Sequence, residues 1–74
     1  MADVLAVISE VVGVPADKLS PSSGVGNVDG WDSLRHMELI VRLEGDLGIR
    51  FSGAEIGEMN TVAAIEAAVA RHGS

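Results

Sequence analysis

The sequence has no cysteine, and it has only one tryptophan and one phenylalanine among 74 residues. Without a thiol, the chain cannot form a disulfide framework, a thiolate zinc site or a catalytic cysteine. It has no apolar run long enough to span a membrane, and Met1-Ala2-Asp3 places no basic residue ahead of the first apolar segment. We therefore expect neither a membrane span nor a signal peptide, and a soluble cytoplasmic protein is the default expectation.

Basic residues are also scarce: five Lys and Arg face eleven Asp and Glu, which gives a net charge of −6. This balance argues against binding to nucleic acid or to anionic membranes, and it favours partners with basic surfaces. The length is that of one domain near the lower limit for folding without staples. With no internal repeat, residues 1–74 are expected to form a single domain.

Apolar periodicity predicts helices at both ends of the chain. The first helix is expected over Ala2–Val12, ended by Gly13 and Pro15, with one apolar face made of Val4, Leu5, Ile8, Val11 and Val12. The last helix is expected from Val62 to about Arg71, with Asn60 or Thr61 as its cap and Ile65, Ala68 and Val69 facing inward.

The connections are of unequal length. Pro15–Gly30 contains both prolines and is long for a compact helical domain, which indicates a packed or functional loop with Leu19 as its best apolar anchor. Ile49 and Phe51 are expected to fill the core from an extended segment. Ser52–Met59 is expected to form one short helical turn with Ile56 and Met59 inward, and its two glycines make it the least secure element.

The central helix is expected over Ser33–Leu47, where turn-forming residues give way to an amphipathic pattern. Asp32 or Ser33 can serve as its N-cap, and Gly48 suits its C-terminal end. Either cap leaves the Ser33 hydroxyl at the exposed mouth of the helix. The helix dipole and the free N–H groups of the first turn favour an anion there, phosphate included.

This helix carries two apolar stripes. One stripe suits a core, with His36 at its edge, and consists of Leu39, Ile40, Leu43 and Leu47. The other lies nearly opposite, among Arg35, Glu38, Arg42 and Glu44, and consists of Leu34, Met37 and Val41. An apolar stripe rimmed by charges is typical of a docking surface. The alternative is a central helix buried on both sides.

Three other chemistries can be weighed. Ser33 and His36 could form a nucleophile–base pair, but there is no Gly-x-Ser-x-Gly elbow and too little chain for a substrate cleft. Asn27–Gly30 matches the middle of a calcium-binding EF-hand loop, but Val25 and His36 stand where carboxylates are required. Trp31 could equally be a partner contact or a hydrophobic lid over the loop.

Three sequence pieces at fixed spacing carry a family resemblance: Asp32-Ser33-Leu34, Glu38-Leu39 and Leu43-Glu44. With the length, the acidity and the order of elements, they resemble the acyl carrier protein family over nearly the whole chain. The resemblance implies an all-α four-helix bundle with a long first loop and a short third helix. It also implies a substrate carrier and not an enzyme.

By this resemblance, Ser33 bears a 4′-phosphopantetheine arm that a phosphopantetheinyl transferase installs from coenzyme A with magnesium. The arm holds acyl groups as thioesters and presents them to an acyl-loading enzyme, a ketosynthase or other acyl-transferring enzymes. No catalytic residue and no resident metal are implied, and a monomer is expected. The partner-binding residues are predicted to be Asp32, Leu34, Arg35, Met37, Glu38 and Val41.

Departures from the family pattern bear on the subclass. Arg35 and Arg42 interrupt the acidic second helix typical of bacterial fatty-acid carriers, and Gly45 replaces an acid. The Gly30-Trp31-Asp32-Ser33-Leu34 form resembles discrete carriers of specialised polyketide or hybrid pathways, antibiotic biosynthesis included. We expect Arg35 and Arg42 to select partners other than the fatty-acid synthase. The alternatives are a carrier of an aminoacyl or other unusual unit, or a helical interaction module in which Ser33 is only a cap.

Overall fold

Four α-helices make up most of the computed structural model. It describes the backbone of residues 3–73 and the burial of residues 3–72. The helices are α1 (Val4–Val12), α2 (Ser33–Leu47), α3 (Gly53–Glu58) and α4 (Val62–Gly73), with a short 3₁₀ helix at Ala16–Lys18. Within residues 3–73 the β pairing is limited to a single bridge between Gly24 and Thr61. The predicted all-α bundle is confirmed. None of the described helices combines the length and apolarity needed to cross a membrane.

The ends of α2 lie where local sequence signals place them. Asp32 has an extended backbone, and its carboxylate Oδ1 accepts a hydrogen bond from the Arg35 N–H at 2.9 Å. Asp32, and not Ser33, is therefore the N-cap. At the other end Gly48 is left-handed, with φ of 66°, and its N–H donates to the Glu44 carbonyl. Residues other than glycine rarely adopt this φ, which explains why the helix ends at Gly48.

The two terminal helices differ slightly from expectation. α1 begins at Val4 because Asp3 is extended and acts as its N-cap, accepting the Leu5 N–H at 3.1 Å. The predicted start at Ala2 lies outside the described residues. α4 continues beyond Arg71 to Gly73. Its cap is Thr61 and not Asn60, since the Thr61 hydroxyl accepts the Ala64 N–H at 3.2 Å.

α3 forms despite two glycines because it begins with a capping box. The Ser52 hydroxyl accepts the Glu55 N–H at 3.1 Å, and the Glu55 carboxylate accepts the Ser52 N–H at 2.8 Å. This pair satisfies two backbone donors that a helix start leaves free. The predicted turn over Ser52–Met59 is thus a shorter helix. As predicted, Met59 is buried and Ile56 packs against the core in part.

The core lies where all four helices and two loop aromatics meet. Its fully or nearly fully buried apolar side chains are Val7, Ile8, Val12, Trp31, Leu39, Ile40, Leu43, Phe51, Met59, Val62, Ile65 and Ala68. Val7 is buried although the predicted apolar face of α1 does not include it. Val4, Leu5 and Val11 of that predicted face are only partly buried. α1 is therefore oriented so that Val7, Ile8 and Val12 face the core.

The long loop is packed against the start of α4. The Ser23 carbonyl accepts the Val62 N–H at 2.8 Å, and the Pro21 carbonyl accepts the Ala63 N–H at 3.0 Å. These loop carbonyls satisfy donors that the first turn of α4 cannot satisfy itself. Gly24 makes the close approach possible, because a Cβ there would overlap the Asn60 carbonyl oxygen. The prediction of a packed connection is confirmed.

Candidate functional site

Ser33 is the first residue of α2, and its side chain is exposed. In the described part of the chain its hydroxyl makes no hydrogen bond. The N–H groups of Ser33 and Leu34 occupy the first two helix positions, where no intrahelical acceptor exists. Together with the dipole of a 15-residue helix, these donors favour a negative group next to this hydroxyl.

Beneath this helix start, Trp31 and His36 form a buried pair. Trp31 is 1% exposed and His36 is 7% exposed, and the indole Nε1–H donates to His36 Nδ1 at 2.9 Å. Trp31 is therefore a hydrophobic lid and not an exposed partner contact. His36 lies at the edge of the core stripe, as predicted, and its ring is buried there beside the indole.

The hydrogen bond fixes the chemical form of His36. Because Nδ1 accepts from Trp31, the neutral ring must carry its proton on Nε2. Burial lowers the pKa of His36, and the backbone carbonyl of Met59 offsets this only in part. Nδ1 faces the indole, so it is not available as a base for Ser33. The geometry therefore gives no support to a nucleophile–base pair.

A second feature of α2 is an apolar face that nothing in the described chain covers. The side chains of Leu34, Met37 and Val41 are 69%, 51% and 63% exposed. With Glu38 and Arg42 they line a shallow depression of about 440 Å³ that follows the helix away from Ser33. The predicted second stripe is confirmed as a surface, and the alternative of a helix buried on both sides is wrong.

The two arginines of α2 both reach α1. The Arg42 guanidinium contacts the Glu10 carboxylate at 3.2 Å and the Asp46 carboxylate at 3.1 Å, and these partners raise the Arg42 pKa. Arg35 donates instead to the carbonyl of Val11 at 3.3 Å, near the C-terminal end of α1. The Arg42 charge is thus paired with two carboxylates of the chain, whereas the Arg35 guanidinium donates to an uncharged carbonyl.

Sequence reasoning missed most of these contacts. The spacing of Arg42 and Asp46 is a signal for an ion pair on a helix. No comparable signal links Arg42 to Glu10, which lies 32 positions earlier. The Trp31–His36 bond joins a loop residue to a helical residue, so helical periodicity alone does not predict it.

A comparison with protein families agrees with this geometry. A family model described as "phosphopantetheine attachment site" matches residues 2–69, which is most of the chain. Members carry 4′-phosphopantetheine covalently on a serine, and they are carrier domains that interact with phosphopantetheinyl transferases and acyl-handling enzymes. An exposed serine hydroxyl at a capped helix start fits such a group. The chain therefore belongs to the phosphopantetheine attachment site family, and it is a carrier protein and not an enzyme.

Proposed function

We propose that Ser33 is the serine that bears the 4′-phosphopantetheine arm, and that residues 1–74 act as one acyl carrier domain. The observation that carries this proposal is the free, exposed Ser33 hydroxyl at the capped start of α2, directly beside an uncovered apolar face. The protein would work as a monomer in the cytoplasm and deliver acyl intermediates in polyketide- or fatty-acid-type biosynthesis.

The attachment chemistry makes modest demands on the carrier. Ser33 Oγ attacks the phosphorus of coenzyme A that bears the pantetheine, the phosphoanhydride bond breaks, and the nucleotide leaves with the electron pair. The serine proton passes to a base supplied by the transferase or by water. When bound, the arm supplies a terminal thiol, which forms the acyl thioester.

The residues around Ser33 suit the modified state. The N–H groups of Ser33 and Leu34 and the helix dipole stabilise the negative charge of the phosphodiester. The cap does not involve Ser33 Oγ, because Asp32 Oδ1 holds the Arg35 N–H. Attachment therefore leaves the start of α2 intact, which a carrier needs because the same helix must be recognised before and after loading.

The exposed face of α2 is the proposed partner surface. Leu34, Met37 and Val41 supply apolar contact area next to Ser33, and the exposed carboxylates of Asp32 and Glu38 match a basic partner surface. The proposed partners are the phosphopantetheinyl transferase, an acyl-loading enzyme, and a ketosynthase or other acyl-transferring enzyme.

Arg35 is the proposed selector among these partners. Arg42 faces two carboxylates within the chain, whereas the Arg35 guanidinium donates to a backbone carbonyl, which carries no charge. We therefore expect neutralising Arg35 to change partner rates more than neutralising Arg42. The assay compares Arg35→Gln with Arg42→Gln for loading by a polyketide-type enzyme and by a fatty-acid-type enzyme. If neither variant alters the ratio of the two rates, arginine-based selection is refuted.

The nature of the cargo is tested by loading the modified protein. Incubation with candidate loading enzymes and their malonyl, longer acyl or aminoacyl donors, followed by intact mass measurement, reports which group becomes thioester-bound. Loading by a polyketide- or fatty-acid-type donor supports the proposal. Exclusive loading by an aminoacyl-activating enzyme would favour the hybrid-pathway alternative.

The attachment site is tested by intact mass spectrometry after incubation with coenzyme A, magnesium and a broad-specificity phosphopantetheinyl transferase. The wild type should gain the mass of one phosphopantetheine, and Ser33→Ala should gain none. Ser22→Ala is the matched control, because Ser22 is another exposed serine but lies in the long loop. Modification of Ser33→Ala, or no gain by a folded wild type while a known carrier is modified, would contradict the proposal.

A further inference from the structure

Trp31 is held in place by three hydrogen bonds. Its backbone N–H donates to the Val28 carbonyl at 3.0 Å, and its carbonyl accepts the Gly26 N–H at 3.2 Å. Its indole Nε1–H donates to His36 Nδ1 at 2.9 Å, with the two ring centres 6.0 Å apart. Backbone and side chain together therefore leave this loop residue little freedom to move.

The indole–imidazole bond spans Ser33. Trp31 lies two residues before the serine, and His36 lies three residues after it. On the solvent side, Asp32 closes the same short segment through its Oδ1, which accepts the Arg35 N–H, and through its carbonyl, which accepts the His36 N–H at 2.9 Å. The start of α2 is thus fixed from outside by the cap and from inside by the buried pair.

We propose that Trp31 and His36 are positioning residues for the modification of Ser33: their buried hydrogen bond holds the first turn of α2 so that Ser33 Oγ is presented in one orientation to the transferase. This rests on the proposed function of Ser33. The bond belongs to the interior and does not touch the exposed face of Leu34, Met37 and Val41. It should therefore affect the chemical step more than the binding of the transferase.

Two substitutions with the same branched side-chain shape test the hydrogen bond. In His36→Asn, the side-chain Oδ1 stands at the position of Nδ1 and can accept the Trp31 Nε1–H. In His36→Leu, a methyl group stands there, and the indole N–H is left buried without an acceptor. The two side chains have the same branched shape and the same number of heavy atoms, and only Asn offers an acceptor to the indole, so their comparison reports on the bond.

The experiment measures steady-state phosphopantetheinylation of wild type, His36→Asn and His36→Leu with coenzyme A and a broad-specificity transferase, at a temperature where circular dichroism shows each protein folded. We expect His36→Leu to lower kcat by about tenfold, because a first turn of α2 that the bond no longer holds presents Ser33 Oγ in more than one orientation, with KM for the carrier nearly unchanged. His36→Asn should restore most of the wild-type kcat. Equal kcat for the two variants would overturn the proposal.

Two further proteins keep the test decisive if His36→Leu is unstable. Ile65→Val removes one methylene from a fully buried residue of α4, so it weakens the fold without changing either member of the Trp31–His36 hydrogen bond, and its kcat should equal that of the wild type. The double variant Trp31→Phe/His36→Leu removes donor and acceptor together and avoids the unpaired donor. It should fold yet remain slow. A fast double variant, or an Ile65→Val that is as slow as His36→Leu, would show that the bond does not position Ser33.

The proposed function of Ser33 and the positioning role of the Trp31–His36 bond are refuted by different results. If the folded wild type is not modified at Ser33, the proposed function fails, and the positioning role fails with it. If the wild type is modified at Ser33 but His36→Leu matches it in kcat, only the positioning role fails.

Discussion

Leu43 and Val41 lie two residues apart on α2 but face opposite surroundings. Leu43 is 0% exposed within the core, whereas Val41 is 63% exposed on the proposed partner surface. Replacing each by alanine removes a branched apolar side chain from the same helix. The pair therefore separates the contribution of α2 to stability from its contribution to recognition.

The expected loss of stability differs greatly between the two variants. Truncating a buried leucine removes its transfer free energy and leaves a cavity, at a cost of about 2–5 kcal/mol. A core in a domain of this size rarely supplies more than about 3–5 kcal/mol. Leu43→Ala should therefore leave much of the population unfolded at 25 °C. Val41→Ala should change the free energy of unfolding by no more than about 0.5 kcal/mol, as is typical of exposed positions.

The expected effect on recognition is the reverse. If Val41 contacts the transferase, its truncation should cost about 1 kcal/mol of binding, a rise of about fivefold in the KM for the carrier. Leu43→Ala, assayed at a temperature where its residual folded fraction is known, should show no such rise per folded molecule, because its side chain does not reach the surface.

Urea unfolding followed by circular dichroism measures the first effect, and steady-state phosphopantetheinylation measures the second. An unchanged unfolding midpoint for Leu43→Ala would show that the core stripe of α2 is misassigned. An unchanged KM for Val41→Ala would remove Val41 from the partner surface.

Three further predictions concern stability. Because burial lowers the pKa of His36, the folded state disfavours protonation of its ring. The free energy of unfolding should therefore fall as pH drops below about 6.5 and level off below the lowered pKa. The variant His36→Asn should lack this pH dependence. A pH-independent wild type between pH 7 and 5 would contradict the buried neutral ring. Gly24→Ala should destabilise the fold by about 1–3 kcal/mol, since the new Cβ overlaps Asn60. Gly45→Ala should stabilise the fold by about 0.5–1 kcal/mol, because position 45 of α2 faces open space. Urea unfolding midpoints that move in the same direction for both variants would refute this. Arg42→Gln should lower the urea unfolding midpoint only slightly, because the ion pairs of Arg42 are exposed. The difference from the wild-type midpoint should vanish in about 1 M salt, which screens exposed charges. A difference that persists in salt would show that packing and not charge matters at this position.

The parts of the fold that could be predicted are those encoded locally. α2 was predicted with its observed ends because Asp32 and Gly48 act within a few residues of themselves. Its two faces were predicted because a helix converts sequence spacing directly into direction. The exposed hydroxyl of Ser33 follows from the same reasoning, and so does the uncovered stripe beside it.

The parts that could not be predicted depend on residues distant in sequence or on loop conformation. Glu10 meets Arg42 only because α1 packs on α2. His36 is buried because Trp31 folds back from the loop and supplies a donor to its ring. The first backbone N–H groups of α4 donate to the carbonyls of Pro21 and Ser23. A periodic apolar pattern contains no information about these hydrogen bonds.

The most direct test of the central claim is to locate the modification. After phosphopantetheinylation, the wild type is digested and the modified peptide is sequenced by tandem mass spectrometry, which assigns the added mass to one residue. We expect the arm on Ser33 and on no other serine. An arm on another serine, such as Ser52 at the start of α3, would contradict it, even if the protein as a whole proved to be a carrier.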